Sequence, residues 1–227
     1  MMLEALFTAV GYGLCHQIPA RSFFAGGYQL PVCARDTGLY LGFVGALIAL
    51  WLLHRGERPT SPPRWPVLVL MGLFVASMAF DGITSYAGLR ETTNTLRLIT
   101  GLLTGWALAT IVVPMLNAQL WADAHEARLL GSVPRVLGWL AALALTYGVA
   151  ALVLPHTGLL YPVLNVVAIL LTFTCVNLVL VCLAGPFERR ARRLRDAVPQ
   201  IALGLGLTLL ELGAAAWLRV LVERVAA

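Results

Sequence analysis

The side chains best suited to chemistry crowd into one early stretch. It reads Cys15-His16-Gln17-Ile18-Pro19-Ala20-Arg21-Ser22, and then Pro31-Val32-Cys33-Ala34-Arg35-Asp36-Thr37-Gly38. Thiolate, imidazole and carboxylate are zinc ligands: four close a structural site, while three leave one position open for a water or substrate. Cys15, His16, Cys33 and Asp36 offer such a set. The spacing of Cys33 and Asp36 puts both on one face of a helical turn. Cys15 and His16 are neighbours in the chain, so both reach one ion only where a helix has frayed, and Pro19 favours such an end. Other chemistry fits the same residues. Cys15 and Cys33 can form a disulfide in an oxidising compartment, or a redox-active pair, although Cys-x-x-Cys is missing. Asp36 can serve as the cap of a helix starting at Thr37. Cys175 and Cys182 lie inside an apolar run and read as small buried hydrophobes.

A second polar constellation spans Asp81 to Thr104. Arg90, Asn94, Arg97, Gly101 and Thr104 recur at i, i+4, i+7, i+11 and i+14, one face of a helix. An Arg at the centre of a bilayer costs about 2.5–3.5 kcal/mol on insertion scales, so Arg97 needs a partner. Asp81 is the expected one. The pair either locks two helices together, or Arg90 and Arg97 clamp a phosphate or carboxylate beside the metal, with Asp81 as base or ligand. Glu211 sits near the middle of the last apolar run. A carboxylate there protonates or finds a polar partner, and Asn165, Thr172 and Asn177 are the nearest candidates. Asp81, Arg90, Arg97 and Glu211 therefore form the candidate catalytic set.

The first two motifs, with the Asp81-Gly82 segment ahead of an Asn- and Arg-bearing helix, carry a resemblance. They resemble a family of bacterial and archaeal predicted membrane proteins of unknown function. Its pattern runs Cys-His-Gln-x-Pro-x-Arg-Ser, then Pro-x-Cys-Ala-Arg-Cys-Thr-Gly, then Asp-Gly. The resemblance is strong over 15–40, looser over 81–105 and absent beyond. It implies a polytopic membrane fold and no established activity. This chain departs from the pattern at Asp36, where the family usually has a second cysteine. Read chemically, a Cys3His ligand set becomes Cys2HisAsp.

The elements that must position these groups follow from composition. Of 227 residues, 59% are hydrophobic and only 12% charged, with a mean hydropathy of +0.84. A soluble domain is typically about 25% charged. Soluble enzymes, disordered chains and nucleic-acid binders are excluded as classes, leaving an integral membrane protein. A bilayer core of about 30 Å takes roughly 20 apolar residues as helix. Runs at about 37–54, 65–86, 94–120, 134–154, 158–184 and 199–222 meet that length. A shorter run, 2–14, is a seventh span or a half-embedded helix, and lacks the basic start and cleavage site of a signal peptide. The expectation is an all-α bundle of about seven transmembrane helices, six as fallback, forming one polytopic membrane domain over 1–227. Gly38/Gly42 and Gly101/Gly105 have the spacing for close helix contact.

All 16 basic residues are Arg. Ten fall in the connections 55–64, 122–135 and 185–198, against three (Arg21, Arg35, Arg90) in 15–36, 87–93 and 155–157. That bias makes the first side cytoplasmic. It also places the N-terminus inside if the first run spans, and puts both polar constellations at the extracytoplasmic face of an inner or plasma membrane. The basic stretch 186–195 reads mainly as a topology signal, with anionic-lipid binding as the other reading. Three functions remain open: a zinc-dependent membrane enzyme holding an anionic, lipid-like substrate through Arg21, Arg35, Arg90 and Arg97; a non-enzymatic accessory subunit of a membrane complex, stapled by metal or disulfide; and a small transporter coupling protons through Glu211 and Asp81. Membrane lipids are partners in each, and nucleic acid in none.

Overall fold

Long apolar stretches with no alternation have one way to satisfy their backbone in lipid, and that is helix. The computed structural model describes residues 2–226. Six of its helices are long and apolar enough to span: α2 (Ala34–Leu53), α3 (Trp65–Tyr86), α4 (Asn94–Leu120), α5 (Val133–Gly148), α6 (Leu160–Leu183) and α7 (Val198–Ala226). One π turn and one 3-10 turn carry the α5 span on to His156. Proline opens three of them: Pro66 and Pro134 stand in the first turns of α3 and α5, where the missing N–H costs nothing, and Pro199 does the same in α7.

α2 and α4 form the central pair. α3 leans on α4, α5 on α2, α6 lies across both, and α7 packs on α6 at the rim. The pairing of α2 with α4 rests on the four glycines named from sequence. A Cβ on Gly38 or Gly42 would strike the backbone of Leu98 or Leu102, and one on Gly101 or Gly105 the carbonyl of Arg35 or Leu39. In lipid, where no hydrophobic force draws helices together, such backbone-to-backbone approach supplies the packing energy. Around this seam Phe43, Trp106 and Trp139 are fully buried, and the Trp139 indole N–H donates to Thr110 Oγ1 at 3.2 Å.

The three Arg-rich connections meet at one end, here the lower end. β3 (Pro59–Ser61) pairs in parallel with β4 (His125–Arg128), and Trp121 bridges to Ala191. Arg58 bonds Asp123 and lies over the Trp121 ring, 3.8 Å from its centroid. His54, with its pKa lowered by burial, accepts the Leu130 N–H through Nε2 and contacts Glu57 through Nδ1.

The first helix, α1 (Met2–Tyr12), is shorter than the six and is not among those long enough to span. Eleven residues reach about 16 Å at 1.5 Å per residue, half a bilayer core. It is held instead against the upper end. Phe7 packs edge-on to Tyr28, Gly11 abuts the Pro31 carbonyl, and Gln17 Nε2 donates to Thr8 O at 2.9 Å. The bundle therefore has six spans, and α1 sits at the same end as the connection that follows it.

Candidate metal centre and anion pocket

The upper end is built by a 21-residue connection that its own polar side chains knit together. Pro19 starts a single 3-10 turn, and a two-stranded hairpin, β1 (Phe24–Ala25) with β2 (Tyr28–Gln29), follows. Gly26 and Gly27 both hold positive φ, 58° and 81°, as a two-residue turn of the primed type requires. Gln17 Nε2 also donates to Pro31 O at 2.8 Å. Gln29 Nε2 donates to Gln17 O at 2.8 Å and to Ser22 Oγ at 3.1 Å. From α4, Asn94 Nδ2 reaches the Ala20 and Ser22 carbonyls, each at 3.3 Å. From α7, Arg219 Nη1 donates to Tyr12 O and Cys15 O, both at 2.6 Å.

This knitting brings Cys15 to the start of α2. One ligand atom each from Cys15, Cys33 and Asp36 lies within 4.8 Å of the others. Cys33 is the N-cap residue of α2 and Asp36 stands in its first turn. The Cys33 thiol donates to Asp36 Oδ2 at 3.2 Å. Cys15 Sγ accepts backbone N–H groups from Cys33 at 3.2 Å and Gln17 at 3.5 Å. The hydrogen bond with Cys33 is the main cause that lowers the Cys15 thiol to about 7, against the opposing effect of burial. Cys33 moves the other way, raised first by the bond to Cys15 and then by burial. Both thiols are free rather than joined.

The donor set fits a zinc-class ion. Tetrahedral bonds of 2.0–2.3 Å place ligand atoms roughly 3.5–3.8 Å apart, so the cluster needs to contract by about an ångström at most. N–H groups aimed at a thiolate are the outer contacts that orient metal ligands. His16 does not join the three. It is exposed and lines the adjacent cavity, because Cys15 turns inward and its chain neighbour turns out.

That cavity encloses about 290 Å³ beside the three ligands. Arg21, Arg35 and Arg97 supply its positive wall, and Leu14, Ile18 and Tyr86 supply apolar surface. The Arg21 guanidinium lies over the Tyr86 ring, 5.3 Å from its centroid. Behind the wall sits Asp81, only 1% exposed. Its Oδ2 accepts from Arg35, and its Oδ1 accepts from Arg90 Nη2 at 2.5 Å and Thr92 Oγ1 at 2.7 Å. The expected pairing of Asp81 with Arg97 is therefore not formed. Arg97 Nη1 bonds Asn94 Oδ1 at 3.0 Å, one turn back on its own helix. Arg90 also bonds Thr84 Oγ1 and is absent from the cavity lining. Of the four arginines expected to hold an anionic substrate, Arg21, Arg35 and Arg97 line the cavity and Arg90 does not.

Glu211 stands apart from this pocket. It is exposed on α7 and accepts from Asn177 Nδ2 at 2.8 Å, which also reaches Thr208 Oγ1 at 3.1 Å. Of its three expected partners, Thr172 bonds its own helix at Ala168 O, and neither polar atom of Asn165 has a partner.

Residues 15–111 match the family described as predicted membrane protein (DUF2085). An uncharacterized protein of Methanocaldococcus jannaschii is 35% identical over 102 residues, which are 45% of this chain and 63% of that relative. An uncharacterized protein of Methanothermobacter thermautotrophicus is 37% identical over 98 residues, 43% of this chain but 83% of the relative. The chain belongs to this family. No solved structure matches it. The family segment runs from Cys15 into α4, so it contains the Cys15, Cys33 and Asp36 cluster, all three cavity arginines and Asp81, and leaves out Glu211 and Arg219. The protein is thus a multi-pass membrane protein of a family without an assigned activity, carrying a Cys/Asp cluster at one end.

Proposed function

We propose that Cys15, Cys33 and Asp36 hold a zinc-class ion at the extracytoplasmic face of an inner or plasma membrane, and that the adjoining cavity presents an anionic, lipid-like substrate to it. The orientation rests on the ten arginines gathered at the opposite end, which favour the cytoplasmic side. One observation carries the proposal: three ligand atoms within 4.8 Å of one another border a cavity whose wall holds three guanidinium groups. Three protein ligands leave a fourth position open, the arrangement of catalytic rather than structural zinc. An ion bound there would polarise a substrate oxygen or a water. The protein's own part is to orient the Cys15 thiolate through the Gln17 and Cys33 N–H groups and to hold an anion with its arginines.

The test is elemental analysis of protein purified under reducing conditions, with a thiol count on the same sample. The expected result is one equivalent of zinc-class metal, lost in the Cys15→Ser and Cys33→Ser variants. Metal-free protein that gains no ion on reconstitution, or a Cys15–Cys33 disulfide in its place, overturns the proposal. A metal that binds without any turnover of anionic lipids leaves a stapled accessory protein instead.

A further inference from the structure

Arg35 carries an unanswered donor. One of its terminal nitrogens bonds Asp81 and its side chain is nine-tenths buried. Its Nε is nonetheless enclosed with no hydrogen-bond partner, and the residue lines the cavity. A buried guanidinium N–H without an acceptor is costly. Arg97, 8% exposed, has Nη1 on Asn94 and faces the same space, as does Arg21. The enclosure of Arg35 Nε also keeps it away from the cavity, so the donors an anion there would meet are the other guanidinium N–H groups of Arg35, Arg97 and Arg21 on its wall.

Charge selects the anion. A divalent ion on two thiolates and one carboxylate leaves one net negative charge at the centre, and Arg21, Arg35 and Arg97 add three positive ones. Asp81 and Arg90, paired behind the wall, cancel each other. Two positive charges remain. A phosphate monoester carries between 1.5 and 2 negative charges at neutral pH, roughly the required number, whereas a carboxylate or a phosphodiester carries one. Guanidinium forks also match phosphate oxygens in a paired geometry. The space accepts a phosphate group with the first atoms of what it esterifies. The apolar rim, with Ile18 40% and Tyr86 70% exposed, lets the remainder leave towards the bilayer surface.

We infer that this cavity binds a phosphate monoester group, held by Arg21, Arg35 and Arg97 beside the metal centre. The inference rests on the metal reading above. It is tested by calorimetric titration of the zinc-loaded protein in nanodiscs of neutral lipid. Inorganic phosphate and acetate are titrated separately, and phosphatidic acid and phosphatidylglycerol are supplied in further nanodiscs. Phosphate is expected to bind at least 10-fold more tightly than acetate. Arg97→Gln and Arg21→Gln are each expected to weaken it by about 10-fold, as loss of a charged hydrogen bond does, with zinc content unchanged. Binding of both phosphate and phosphatidic acid marks recognition of the bare group. Binding of phosphatidic acid without free phosphate marks a lipid source, and the reverse a soluble one. Equal binding of acetate, or a preference for phosphatidylglycerol, overturns the dianion argument. Zinc-replete protein that binds no phosphate in any form sinks this inference alone, whereas protein that takes up no zinc sinks the metal reading beneath it.

Discussion

Two helix seams in this molecule solve the same problem by opposite means. Between α2 and α4, glycines bring backbone against backbone, and the side chains displaced from the seam (Arg35, Asp36, Arg97) are delivered to its upper end. Between α6 and α7, polar side chains do the joining: Thr174 and Asn177 meet Thr208, and Asn177 meets Glu211. A Cβ on Gly204 would lie 3.3 Å from the α6 backbone, a looser fit. The first seam lies largely within the family segment and the second wholly outside it. The contrast teaches that the tight seam sets the geometry of the pocket, while the polar seam holds a peripheral helix that bonds the Cys15 backbone through Arg219.

Breaking the tight seam is expected to have the largest effect. Gly101→Leu drives a side chain into the Arg35 carbonyl. Overpacking of this kind costs about 3 kcal/mol, and more where backbone cannot yield. Unfolding in detergent, followed by circular dichroism or SDS titration, should show a large loss of stability and of the folded fraction. Gly206→Ala on α7, where nothing lies within 4 Å of the added atom, is expected to be neutral or to stabilise by up to about 1 kcal/mol through helix propensity. Equal damage from both substitutions would erase the distinction between the seams.

The carboxylates sharpen the same contrast at smaller scale. Asp81→Asn leaves Arg35 and Arg90 facing a neutral amide in a buried setting, and breaking such a pair costs about 3 kcal/mol. Glu211→Gln keeps an acceptor for Asn177, and interhelical hydrogen bonds in membranes average about 0.6 kcal/mol, so its effect should stay below about 1 kcal/mol. The same unfolding assay ranks them. A Glu211→Gln loss matching that of Asp81→Asn would make the α6–α7 seam as structural as the other.

Much of this architecture was readable in the residues. The six spans follow from apolar run length, with ends within a few residues, and both glycine pairs predicted the closest helix contact. The trio Cys15, Cys33 and Asp36 followed from ligand chemistry and helical spacing. What was not readable was lateral register. Asp81 and Arg97 sit at matching depths on neighbouring helices, yet nothing in a linear chain says how far each helix is rotated. The rotation that seats Gly101 against Arg35 turns Arg97 to the cavity and hands Asp81 to Arg35 and Arg90. His16 was misplaced for a related reason. Cys15 is half-buried and its neighbour His16 exposed, and adjacency in the chain does not say which way each side chain turns. The Arg219 clip was invisible, since 204 residues separate it from Cys15.

That clip supports the smallest prediction, which is also the most direct probe of how α7 serves the pocket. The Cys15 thiol is held at about 7, with the side-chain hydrogen bond to Cys33 the largest cause and the Gln17 and Cys33 N–H groups adding to it. Alkylation requires thiolate, so metal-free protein should label at Cys15 with a rate midpoint near pH 7, while Cys33, shifted upward, stays slow. Arg219 fixes the Cys15 carbonyl and so the direction in which Sγ points. Arg219→Gln removes a charged donor from Cys15 O and Tyr12 O but leaves the α2–α4 seam untouched, so global stability should fall by only about 1 kcal/mol. With the sulfur free to swing from its donors, the thiolate loses support and the thiol form gains. The labelling midpoint should therefore rise towards the ordinary value of about 8.5. A raised midpoint with near-normal stability separates a positioning role from a structural one. An unchanged midpoint would mean that the family segment alone sets the sulfur's environment and that α7 is a bystander to it.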